Sequence, residues 1–226
     1  MKKIFLLLIC VLCGISMFAQ NDVTKFLGFP VDGSKSEMIK NLKSKGFTTF
    51  TVGDNEGLKG RFNGVEVNVY ISTENGKVSR ILVCDANHVG ESDIKIRFNT
   101  LCRQFMDNGK YFSAEDYTIA DDENISYQMA VNAKRYEAIF YQMPEGKALE
   151  DLKASILQET AAKYTPTQLE NPSDELKAEI TINSMKQLFK AVEKKTVWFM
   201  ISEDYGKYYI SMFYDNEYNR PNGEDL

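Results

Sequence analysis

Residues 65–85 read Val65-Glu-Val-Asn-Val-Tyr-Ile-Ser-Thr-Glu-Asn-Gly-Lys-Val-Ser-Arg-Ile-Leu-Val-Cys-Asp85, and this stretch decides the fold. Val65, Val67, Val69 and Ile71 alternate with Glu66, Asn68 and Tyr70. A period of two lays one apolar face on a core and turns the other toward solvent. Asn75-Gly76 separates two such runs. Both central residues of a type I′ turn need positive φ, which Asn and Gly tolerate best, so the dipeptide predicts a tight antiparallel hairpin. Asn63-Gly64, one strand earlier, carries the same signal and extends the hairpin into a meander. A two-residue turn at 75–76 would set Glu74 opposite Lys77, Val69 opposite Leu82 and Val67 opposite Cys84. Arg80, opposite Ile71, is then the one polar intrusion on the apolar face.

Working outward, Ser34-Lys35-Ser36-Glu37 has the spacing of a capping box, with Met38, Ile39 and Leu42 following at helical intervals and Gly46 supplying a left-handed stop. A helix is expected over about 34–45. Ile94, Phe98, Leu101 and Phe105 form one stripe of a second helix, 92–106. Strands are predicted at 125–131 and 136–143, then a helix at 148–162. Pro166 and Pro172 mark residues 164–173 as a linker or exposed loop, because proline interrupts both helix and ladder. A further helix covers 174–192, with Ile180-Thr181-Ile182 readable as strand. A last hairpin joins 197–202 to 207–214 through Glu203-Asp204-Tyr205-Gly206, and a polar tail runs from 215 to 226. Helix followed by antiparallel strands thus recurs about three times. The class is α+β: one antiparallel sheet, or two abutting ones, with helices packed on one face.

The N-terminus has a different purpose. Met1-Lys2-Lys3 is basic, residues 4–12 are apolar, and Ala19 precedes Gln20, the three parts of a secretory signal peptide. The run falls short of the ~20 apolar residues that cross a bilayer. The expected organisation is a leader over 1–19 and a single α+β domain over 20–226, divisible if at all into 20–145 and 146–226. Export to the periplasm or the exterior follows. Net charge is −5, and loss of Lys2 and Lys3 makes it more acidic still. Nucleic acids and anionic membranes want clustered Lys and Arg, so neither is an expected partner. Cys10 and Cys13 fall in the leader. Cys84 and Cys102 either pair, if the 92–106 helix lies on the meander's apolar face, or remain small buried hydrophobes.

Catalytic patterns are hard to find. His88, the only histidine, sits in a turn-like loop, and no Gly-x-Ser-x-Gly elbow accompanies it. Glu115-Asp116 and Asp121-Asp122-Glu123 lack the spacing of a calcium loop and read as a solvated acidic stretch. Metal, cofactor and phosphate-loop signatures do not stand out. A carboxylate pair for glycoside hydrolysis would need only two acids at the right separation, which a sequence does not measure.

The last hairpin is unusual because both of its faces are apolar. Val197, Phe199 and Ile201 alternate with Trp198 and Met200, while Tyr208, Ile210, Met212 and Tyr214 alternate with Tyr209 and Phe213. Such a strand is either central and covered twice, or it carries a recognition surface. The candidate binding face is Tyr208, Ile210, Met212 and Tyr214, extended by Trp198 and Met200 if the register aligns them.

The element order over residues 26–85 is similar to the two-layer folds of the small lipoprotein of the outer-membrane barrel-assembly machine and of the secreted β-lactamase inhibitor protein. Phe26-Leu-Gly-Phe-Pro-Val-Asp-Gly33 and Tyr214-Asp-Asn-Glu-Tyr-Asn-Arg-Pro-Asn-Gly-Glu-Asp-Leu226 resemble segments of exported proteins of gut anaerobes that have two membranes. The second resemblance implies export and kinship along the mature chain, and brings no activity with it. The expectation is an exported, non-enzymatic binding protein whose partner is a protein or a glycan. A small carboxylate-dependent hydrolase and a structural envelope component are the alternatives.

Overall fold

A computed structural model describes residues 22–53 and 55–220. The expected leader and its expected Ala19–Gln20 cut, with Cys10, Cys13 and residues 221–226, lie outside the described residues. A short hairpin, β1 (Lys25–Phe26) and β2 (Phe29–Pro30), precedes helix α1 (Lys35–Ser44). Four strands follow: β3 (Thr48–Val52), β4 (Asn55–Phe62), β5 (Val65–Glu74) and β6 (Lys77–Asp85). Then come α2 (Glu91–Asp107), β7 (Tyr111–Phe112), α3 (Ile125–Asn132), β8 (Glu137–Gln142), α4 (Lys147–Lys163), α5 (Pro166–Glu170) and α6 (Asp174–Val192). Strands β9 (Thr196–Asp204) and β10 (Lys207–Asp215) and a 3₁₀ turn (Glu217–Asn219) complete the chain. The fold is α+β.

The local signals act where they were expected. Asn63 and Gly64 sit at φ 47° and 82°, and Asn75 and Gly76 at 50° and 77°, the left-handed pair of a type I′ turn. Ser34 caps α1 by accepting from the Glu37 amide at 3.2 Å. At its other end the Gly46 amide bonds to the Lys43 carbonyl and the Phe47 amide to the Leu42 carbonyl, a Schellman motif that ties up the last orphan acceptors.

Eight strands form one antiparallel sheet in the order β3-β4-β5-β6-β10-β9-β8-β7. Strand β10 inserts between β6 and β9, so the sheet draws on both sides of residue 146. Its inner face is covered by α1 and α2: Met38, Leu42, Ile94, Phe98 and Leu101 meet Val67, Val69, Ile81, Val83, Phe140 and Phe199 in one core.

The predicted register of the meander is corrected by one residue. Glu74 does face Lys77, but beyond Thr73 the pairing shifts, and Val69 faces Val83 while Val67 faces Asp85. Ser79 is the extra residue, a β-bulge that lets both Val78 and Ser79 be buried in succession. Partners from distant parts of the chain hold it: the Val78 amide bonds to the Gly33 carbonyl at 2.8 Å, and the Asn216 amide to the Ser79 carbonyl at 2.9 Å. The slip turns Cys84 away from Val67 and from α2. Cys84 and Cys102 are both free, the first on the outer face and the second within the core.

Two further readings change. Residues 125–131 form helix α3, not a strand, because the Asn124 side chain caps the Tyr127 amide at 2.8 Å and only the Ile125 end is buried. The expected linker contains α5, where Pro166 occupies the first helical turn and Thr165 with Gln168 completes a capping box. Proline lacks only an N–H that a first turn leaves unpaired anyway. Residues 180–182 belong to α6. The antiparallel pair α4 and α6 bridges β8 to β9 with Val192 as its one buried residue, and Phe189 meets Tyr141 at its base with ring centroids 5.2 Å apart.

Candidate binding face

Strand β10 does have two apolar faces, and the sheet uses them differently. Tyr208, Ile210, Met212 and Tyr214 pair on the inner side with or beside Ile201, Phe199 and Val197, and all four are at most 6 % exposed. The Tyr208 hydroxyl donates to Ser126 Oγ at 2.7 Å, and its backbone exchanges two hydrogen bonds with Val89. These four are core, which corrects the expectation that they form a binding face. Trp198 and Met200 lie on the other side of the sheet, because their cross-strand partners are Phe213 and Ser211.

The outer side carries a row that no single strand reveals. Tyr70 pairs with Leu82, Leu82 with Phe213, Phe213 with Trp198 and Trp198 with Ile139. All five are half-buried, as neighbours on one sheet face shade one another. Five strands at about 4.8 Å spacing make a strip on the order of 20 Å long. Phe50 extends it: its ring meets Tyr70 edge-on at 6.2 Å across Gly57, where a Cβ would come within 2.8 Å of Phe50. Glycine at 57 is therefore what lets the two rings meet.

Charge and hydroxyls flank the row. Trp198 and Phe213 stack at 4.0 Å with planes 12° apart, and the Arg80 guanidinium lies 4.9 Å from the Phe213 centroid. Asp215, itself 1 % exposed, anchors this group. It accepts from Arg80 Nε at 2.5 Å and Nη2 at 2.8 Å, and from Trp198 Nε1 at 2.9 Å. That hydrogen-bonded carboxylate pushes the Arg80 pKa upward, so the guanidinium is a permanent charge on the flank of the row. On the other flank a second row runs Asn68, Cys84, Ser211, Met200 and Glu137. The Ser202 and Ser211 hydroxyls lie 2.8 Å apart there. Further along β10, His88 stacks on Tyr209 at 4.5 Å and its Nδ1 is 3.3 Å from Asp204.

The acidic loop is used internally. Asp116 accepts from the Thr118 amide at 2.9 Å, and Glu123 accepts from Lys134 Nζ and from the Tyr136 hydroxyl, each at 2.5 Å. These bonds hold the carboxyls of Asp116 and Glu123 below their ordinary pKa. Lys95 bonds to the Asp121 and Glu123 carbonyls at 2.5 and 2.8 Å, so the loop's backbone oxygens are engaged too. Among the described residues no three His, Cys, Asp or Glu side chains converge as metal ligands. No helix among them is long and apolar enough to cross a membrane.

No family model, curated protein or solved structure matches the chain.

Sequence reasoning set Trp198 and Met200 as an extension of the Tyr208 face, which the register does not allow, and it did not single out Tyr70, Leu82, Phe213 or Ile139. Period-two patterning marks which residues share a face of one strand. The row depends on the order β5-β6-β10-β9-β8, in which β10 pairs with a strand more than a hundred residues earlier.

Proposed function

We propose that the protein is exported and acts by binding, and that it presents the outer row of the sheet to a partner protein. The observation that carries the reading is that in-register row of Tyr70, Leu82, Phe213, Trp198 and Ile139. Flat aromatic and aliphatic surface rimmed by polar groups is the usual composition of a recognition site. A protein is favoured over a glycan by ring geometry. Sugars stack on open aromatic faces, whereas Trp198 is stacked on Phe213 and Tyr209 on His88. The three-part leader supports export, as does the resemblance of residues 26–33 and 214–226 to exported proteins.

Chemical cross-linking on intact producing cells, followed by mass spectrometry, tests this. The wild-type chain should capture one partner reproducibly, and Leu82→Arg/Phe213→Arg should lose it while keeping near-native thermal stability. Capture that is indifferent to the two arginines would sink the assignment of the face. Intact mass beginning at Gln20 is expected for the exported protein, and a retained leader would remove export from the reading.

A further inference from the structure

The helix-bearing side of the sheet has an opening that the outer row does not share. We propose that a cleft beneath the β1–β2 hairpin binds a small amphipathic anion, its apolar body between Phe62 and Phe105 and its charge on Arg61 and Lys110. The cleft has a volume of about 780 Å³, within the ~300–1,000 Å³ of small-molecule sites.

Its walls come from four parts of the chain. One lip is the β1–β2 turn, where Leu27 and Gly28 take left-handed φ of 52° and 88°. The other is the β4–β5 turn, pinned to α2 by Asn63 Nδ2 donating to Gln104 Oε1 at 2.8 Å. The floor is polar and preformed. Gln142, only 8 % exposed, accepts from the Lys25 amide at 2.7 Å and donates to the Lys25 carbonyl at 3.2 Å. Its Nε2 also donates to the Tyr111 hydroxyl at 3.4 Å. Aromatic packing stiffens the walls: Phe62 stands 5.3 Å from Phe26 and 6.5 Å from Tyr214, and Phe105 4.6 Å from Tyr111.

The rim has the wrong sign for the chain as a whole. Lys25, Arg61 and Lys110 line the opening with Glu145 as their only carboxylate, in a protein of net charge −5. Glu145 is committed to Lys25 at 2.9 Å, with Lys110 more distant at 3.9 Å. Arg61 spends one Nη2 bond on the Gly64 carbonyl and keeps its other donors. Two cations are thus left over above an aromatic slot, the pattern that holds a carboxylate, sulfonate or phosphate on a ring or short chain. This site does not depend on the outer row, and either can fail alone.

The test uses two fluorescent dyes of like shape, anionic 8-anilinonaphthalene-1-sulfonate and uncharged N-phenyl-1-naphthylamine. The mature chain should bind the sulfonate saturably at one site, with affinity falling as salt is raised. Arg61→Glu/Lys110→Glu should weaken the sulfonate by at least about tenfold, the order expected for reversing two nearby charges, and leave the uncharged dye within about twofold. Arg61→Gln/Lys110→Gln, a milder change at two exposed positions, should give a smaller loss in the same direction and covers the case in which the double reversal fails to fold. Absence of a saturable sulfonate site overturns the proposal. So does an affinity unmoved by both variants, or an equal loss for both dyes.

Discussion

Asn219 donates from its side-chain amide to the Asp32 carboxylate at 2.8 Å, and the same nitrogen reaches the Val78 carbonyl at 2.8 Å. Asn216 adds a bond from its Nδ2 to the Val31 carbonyl at 2.7 Å, and Phe26 packs on Tyr214 with centroids 4.8 Å apart. The segments 26–33 and 214–220, at opposite ends of the described chain, are therefore one clasp closed over the Val78–Ser79 bulge.

The clasp should be measurable. Asn216 is fully buried and also accepts from the Tyr218 amide at 3.0 Å. Asn216→Ala leaves the Val31 carbonyl and the Tyr218 amide unpaired, so a loss of about 2–3 kcal/mol in urea denaturation is expected. Asn219→Ala, at a more exposed position, should cost nearer 1 kcal/mol.

Tyr208→Ala should behave as a core truncation. Tyr208 is 6 % exposed and its hydroxyl is bonded to Ser126, so a destabilisation of about 3–5 kcal/mol is expected. Tyr208→Phe should cost only about 1 kcal/mol, the share of the hydroxyl. Denaturant melts of the pair check both. A near-native Tyr208→Ala would contradict its place in the core.

Asp215→Ala should disturb the outer row as well as the fold. The change strips Arg80 and Trp198 of their common acceptor and leaves the guanidinium half-buried without its partner. A loss of about 3 kcal/mol is expected. Trp198 is the only tryptophan, so its emission should shift with the mutation and report the site directly.

Cys84 and Cys102 should be slow but free. Burial pushes the Cys102 thiol up to about 12, and burial raises Cys84 as well. Thiolate is the reactive form, so a disulfide-exchange reagent should label native protein slowly at neutral pH and titrate both thiols at once in denaturant. One or no thiol in denatured, unreduced protein would contradict the structure.

Acid should unfold the protein partly through Glu123. Its hydrogen bonds to Lys134 and Tyr136 depress its pKa below the ordinary carboxyl value. A carboxyl lowered in the folded state contributes stability above its unfolded pKa of about 4.3 and loses it as pH falls through the folded value. Melting temperature should therefore decline below about pH 4.5, and Glu123→Gln should flatten that decline. An acid limb identical in the two proteins would rule the residue out.

What the sequence determined by itself is everything whose energy is local. The two Asn-Gly turns, the capped and Gly-terminated α1, the apolar stripe of α2 and the last hairpin follow from φ preferences and from periods of 3.6 and 2, which act over a few residues. Tertiary structure decided the rest. The bulge at Ser79 exists because Gly33, Asn216 and Asn219 bond to its two residues, and that one-residue slip sends Cys84 to the outer face. Helix α3 prevails over a strand-like composition because Asn124 caps it and its Ile125 end seats in the core. Above all, β10 offered two apolar faces, and only its insertion between β6 and β9 chose which one α2 would cover. Side-chain alternation defines two faces of a strand but does not rank them, and strand order is set by burial summed over the whole sheet.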